Sequence, residues 1–135
     1  MPPVIIKRPP GFAPAVWERH KRDARRILWE QVLAEQLGIH HGYLAGQLGL
    51  YPFAGNYFSV LDAVCVDEVD AGGPMVTALV TAIGSEIPGG RFFTLAEKLE
   101  IEVKDRAEFA LAQRQRSVAW IRVHPERASI TAEDC

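Results

Sequence analysis

Apolar positions recur along the chain with two periods, and the switch between them divides it. From Ala15 to Leu37 the residues Trp17, Ala24, Ile27, Leu28 and Val32 fall on one face at helical spacing, with Gly38 placed to stop the helix. Gly42 to Leu48 reads as a short second helix ended by Gly49, and Tyr51 to Gly55 as a loop. Asn56 is suited to cap a third helix to about Asp70, on which Tyr57, Leu61, Val64, Cys65 and Glu68 share a face before Gly72-Gly73-Pro74 ends it. The period then changes. Met75 to Ile83 is rich in Val, Thr and Ile and bounded by glycine and proline, which predicts a buried strand. Gly84 to Gly90 reads as a turn, and Arg91-Phe92-Phe93 as a short second strand pairing back. Thr94 with Glu97 forms a capping-box pattern for a helix to about Ile101. Asp105 with Glu108 repeats it for a last helix to about Ile121, although Val118 to His124 alternates well enough to be a strand instead. The apolar periods converge on Trp17, Ile27, Leu28, Leu61, Val64, Leu79, Val80 and Phe93 as core.

The chain's 135 residues suffice for one domain, and 48% apolar with 24% charged residues is an ordinary globular composition. Met1 to Pro14 carries five of the nine prolines and is expected to be an extended arm; 15–125 form one domain and 126–135 a tail. Cys65 lies in an apolar helical pattern and Cys135 is the last residue, so no disulfide framework is implied and a reducing, cytoplasmic setting fits. No apolar run approaches the roughly 20 residues of a membrane span, so no membrane association is expected.

Charge is laid out unevenly. Residues 1–36 carry seven Lys or Arg against four acids, whereas 37–72 carry four acids and no Lys or Arg. The order of helices followed by a hairpin predicts an α+β fold of about five helices with a small β-hairpin. His41-Gly42-Tyr43-Leu44-Ala45 and Leu48-Gly49 resemble the entry to a winged-helix segment, though a glutamate usual there is absent. Farther on, Glu68, Gly72, Pro74, Met75, Ala78, Leu79, Val80, Pro88 and Gly89 resemble a family of small bacterial and phage-type proteins, with Arg91 where glycine is usual. That resemblance implies a fold, and a phage or mobile-element accessory setting, but no activity.

A winged helix ordinarily implies DNA binding through its second motif helix. Here that helix, Tyr57 to Asp70, carries Asp62, Asp67, Glu68 and Asp70 with no positive side chain, which would repel phosphate. A nucleic-acid role therefore falls to the arm and first helix, through Lys7, Arg8, Arg22 and Arg26. Arg19, Arg22, Arg25 and Arg26 lie on one broad side of the first helix, which continues into Trp29 and Leu33. An arginine patch running into tryptophan and leucine has the make-up of an interface anchor.

The expected function is a non-enzymatic protein-interaction or regulatory module. It is expected to bind a protein partner, or itself, through Arg19, Arg22, Arg25, Arg26, Trp29 and Leu33 on one side and Asp62 and Asp67 on another. A nucleic-acid-binding accessory is the alternative, and a small enzyme built on Glu68, Glu86 and Arg91 the second. No metal set or cofactor motif stands out: His40-His41 lacks a third ligand at metal spacing, and Pro88-Gly89-Gly90 lacks the lysine of a phosphate loop.

Overall fold

The computed structural model describes residues 4–130. In chain order these form α1 (Pro14–Leu33), β1 (Ile39–His40), α2 (His41–Leu48), α3 (Gly55–Asp70), a 3-10 turn (Val76–Leu79), β2 (Val80–Thr81), α4 (Gly90–Lys98), α5 (Arg106–Val123) and a second 3-10 turn (Pro125–Ser129). The fold is α+β and mostly helical. Its two strands are parallel, with Ile39 opposite Val80 and His40 opposite Thr81.

The central element is α3. Tyr57, Val60, Leu61, Ala63, Val64, Cys65 and Val66 are all buried along it, so it is apolar almost all round and must be covered on both sides. On one side, Val60 and Val64 join Leu28, Trp29 and Val32 of α1, Leu44 and Leu48 of α2, Leu79, Val80 and Ile121. On the other, Cys65 and Val66 meet Met75, Ala78, Phe92, Leu95 and Ala96. All eight core positions expected from periodicity are buried.

The segment expected to form a hairpin folds differently. Only Val80 and Thr81 of the β-type run are strand, after a 3-10 turn, and Arg91-Phe92-Phe93 lies inside α4. The backbone of Met75 explains why. Its N–H donates to Oε1 of the buried Gln113 at 2.9 Å, and its carbonyl accepts from Oγ of the buried Ser117 at 3.4 Å. Side chains of α5 thus satisfy groups that a partner strand would have paired. Helix α4 has Phe92, Phe93, Leu95 and Ala96 buried, a helical spacing. No β-hairpin occurs among the described residues, and the winged-helix resemblance finds no support in the strands.

Other differences are local. Helix α1 stops at Leu33, and Glu35 turns the chain with φ of 60°, so Gly38 is not the stop. Asn56 lies within α3, whose N-cap is Ala54, and Thr94 lies within α4, where its hydroxyl donates back to the Gly90 carbonyl at 3.1 Å. Asp105 does cap α5, accepting from the Glu108 amide at 2.9 Å, and Val118 to Val123 is helix. The arm is anchored rather than free: Phe12 is buried, stacked on Trp17 at 6.1 Å and tilted against His20 at 4.9 Å. Of the expected tail, residues 126–129 lie in the second 3-10 turn, and residues 131–135, Cys135 among them, lie outside the described residues. Among the described residues no helix is long and apolar enough to cross a membrane.

Candidate functional site

Glu68, on the last turn of α3, is fully buried. Its Oε1 accepts from Trp120 Nε1 at 3.1 Å and Arg127 Nε at 2.6 Å; its Oε2 accepts from Arg25 Nε at 3.2 Å and Arg127 Nη2 at 2.7 Å. Each oxygen is doubly engaged, which fills the acceptor capacity of a carboxylate. Arg25 reaches on through Nη2 to Asp67 at 3.1 Å, so two guanidiniums face two carboxylates. A carboxylate so enclosed has no lone pair free for a substrate, and the arrangement ties α1, α3, α5 and the final turn together.

Glu68 and Arg91, expected to centre a small enzyme, are engaged with different partners. Arg91 instead pairs through Nε with Asp62 at 3.3 Å, one turn and a half earlier on α3, and its guanidinium lies over the Phe58 ring at 5.0 Å. Glu86 is exposed on the loop before Pro88 and joins neither pair.

Two partner-binding expectations are corrected as well. Trp29 is completely buried and its indole N–H donates to the His124 carbonyl at 2.8 Å, while Arg25 is 2% exposed and spent on Glu68 and Asp67. The broad face of α1 is a second packing face. Arg19, Arg22, Arg26 and Leu33 remain exposed, although Arg26 is shared between Asp23 at 3.8 Å and Glu30 at 3.1 Å. Lys7 and Arg8 are exposed on the arm, where Arg8 donates to the Phe12 carbonyl. The acidic face of α3 is likewise mostly internal: Asp62, Asp67 and Glu68 each face an arginine, and of the four acids only Asp70 is exposed.

Beside the Asp62–Arg91 pair the structure opens a cleft of about 240 Å³. Its floor includes Leu61, Val80 and Phe92, and its far wall is the loop carrying Ser85, Ile87 and Pro88. The near wall is aromatic. His41 lies 5.4 Å from Phe53 and 5.5 Å from Phe58, ring centre to ring centre, and Phe53 lies 6.1 Å from Phe58. The N-terminus of α2 sets His41, whose Nδ1 is fixed 2.8 Å from the buried Tyr57 hydroxyl. Phe53 is held at φ of 66°, a region that costs a bulky residue about 1–2 kcal/mol, yet the residue stays 62% exposed at the mouth. Ile87 is also partly exposed there.

Electrostatics follow burial. Burial lowers the His41 pKa, with help from His40, so the ring is held neutral. Burial raises the Asp62 carboxyl, and Arg91 and Lys98 oppose that shift. The Cys65 thiol beneath Thr77 is pushed up to about 12 by complete burial and is an inert packing group. A wider hollow of about 480 Å³ between α4 and α5 is lined largely by exposed charged side chains of both signs and offers no comparable apolar floor.

Most of the cleft comes from residues 77–92, the stretch whose Pro-Gly-Gly turn and aromatic pair stand out in the sequence. Phe53 and Phe58 were not singled out there; two phenylalanines around a Pro-x-Ala-Gly loop were the available signal. Compared with protein-family models, curated proteins and solved structures, the chain matches none.

Proposed function

We propose that the protein is a non-enzymatic interaction module whose working surface is the cleft walled by His41, Phe53 and Phe58, not the outer face of α1. The observation that supports this reading is Phe53, an exposed aromatic side chain kept on a strained backbone at the mouth of a preformed apolar cleft. Surface phenylalanine costs solubility, and a left-handed backbone costs stability; both are tolerated where a partner uses the ring. The polar groups nearby form an ion pair and a hydrogen-bonded imidazole, and among the described residues no nucleophile hydrogen-bonded to a base lines the cleft. The nucleic-acid reading is weakened by the engagement of Arg26 with two acids, which leaves Lys7, Arg8 and Arg22 as its cations.

A display selection of random peptides on the intact protein tests this reading. Selected peptides are expected to share one large apolar residue, to lose about tenfold or more in affinity on Phe58→Ala, and to bind an Arg19→Glu, Arg22→Glu variant normally. Peptides indifferent to Phe58→Ala, or dependent on Arg19 and Arg22, would place the interaction elsewhere.

A further inference from the structure

We infer that the cleft receives a single aromatic or large aliphatic side chain of a partner protein carried next to a carboxylate, and that the free edge of Arg91 holds that carboxylate. This rests on the cleft being the working surface and adds what it selects.

Size sets the first half. A cleft of about 240 Å³ equals the liquid volume of about eight waters, room for one ring and too little for a helix or a strand. Its walls, Phe53, Phe58, Leu61 and Phe92, reward an apolar occupant that displaces this water.

Charge sets the second half. Arg91 uses only Nε on Asp62, and among the described residues its two terminal amino groups have no hydrogen-bond partner. The guanidinium is held between Asp62 and the Phe58 ring, 5.0 Å from the ring centre, while 46% of the side chain stays exposed. A planar fork tethered at two points, with two unused terminal donors, suits a carboxylate. The first turn of α4, which begins here at Gly90, has no acid and no side-chain cap, so its backbone dipole adds to the positive field.

A cationic occupant is disfavoured because Arg91 already sits on Phe58 and Asp62, where such a group would go. A nucleic-acid strand is disfavoured because Asp62 stands beside Arg91 and the rim offers no track of cations for successive phosphates.

Three fluorescently labelled, blocked peptides of sequences Glu-Trp-Glu, Gln-Trp-Gln and Lys-Trp-Lys, with a short oligothymidine, make the test by anisotropy on the full chain. The acidic peptide is expected to bind about tenfold more tightly than its glutamine counterpart at low salt, with the gap narrowing as salt is added. Arg91→Gln should reduce the gap to about twofold or less and Arg91→Lys should keep part of it, whereas Phe58→Ala should weaken both peptides alike. Equal binding of the acidic and glutamine peptides, a gap that survives Arg91→Gln in a variant that melts normally, or tightest binding by the lysine peptide overturns the inference and leaves the cleft reading standing. Binding of oligothymidine that is lost on Phe58→Ala overturns it in favour of nucleic acid. Failure of every probe to bind overturns the cleft reading as well.

Discussion

Arg127 grips both oxygens of Glu68, at 2.6 and 2.7 Å, from the turn that follows α5 and 59 residues farther along the chain. The pair is double, and the carboxylate it holds has no contact with solvent. Its worth lies less in attraction than in the penalty for breaking it. Glu68→Ala should cost about 3–5 kcal/mol, because Arg25 and Arg127 are left facing each other around a hole. Urea unfolding would measure this, and a loss within about 0.5 kcal/mol would mean that water replaces the carboxylate freely.

Two arginines three residues apart on α1 should behave oppositely. Arg25→Glu would bury a third carboxylate against Asp67 and Glu68 and should destabilise by several kcal/mol, whereas exposed Arg22→Glu should stay within about 0.5 kcal/mol. Comparable melting temperatures for the two variants would contradict the burial of Arg25.

Gly73 has no room for a side chain. A Cβ there would sit 2.6 Å from Trp120 Cε2 and 2.9 Å from the Glu68 carbonyl oxygen, and backbone cannot yield as a flexible side chain does. Gly73→Ala should cost about 1–3 kcal/mol and shift the near-ultraviolet signal of tryptophan as Trp120 is pushed from Glu68. An unchanged spectrum with unchanged stability would show that the approach is looser.

Acid should weaken the fold near the imidazole range. Burial lowers the pKa of both His20 and His41, Arg19 adding to the first and His40 to the second. The unfolded chain then binds more protons as pH drops past 6.5, so stability should fall with pH through that region. Asp62 and Asp67 act in reverse. Burial raises both carboxyls, so the native state protonates first and part of the loss should be recovered as pH approaches 3.8. His20→Gln and His41→Gln together should flatten the melting-temperature profile just below pH 6.5; an equally steep profile would assign the effect to other groups.

The core was legible in the sequence because it is periodic: Ala24, Leu28 and Val32 repeat every four residues with Ile27 three after Ala24, and burial followed. The Asp105 cap was legible for a similar reason, since its partner Glu108 is three residues away. Charge pairing was not. Arg25 reads as one of four surface arginines, and nothing local reveals carboxylates more than forty residues later that take it inside. The apolar run from Met75 misled because β-branched content reports burial as much as strand, and here buried Gln113 and Ser117 do the pairing. For the cleft, the Pro-Gly-Gly turn was visible, but the convergence of Phe53, Phe58 and Arg91 depends on three separate segments.

The parallel ladder of two rungs has a consequence for motion. Two strands of two residues each cannot hold together unaided, and they join positions 41 residues apart, so helices α2 and α3 must bring them into register. Such a ladder is among the first places where a native chain opens locally while its helices stay folded. Val80, itself one rung of the ladder, is also floor of the cleft, so each opening loosens that floor. Amide exchange at Thr81 and Ala82 should then be faster than in α3 and should slow when the cleft is filled, which would make this smallest piece of sheet the molecule's own reporter of occupancy.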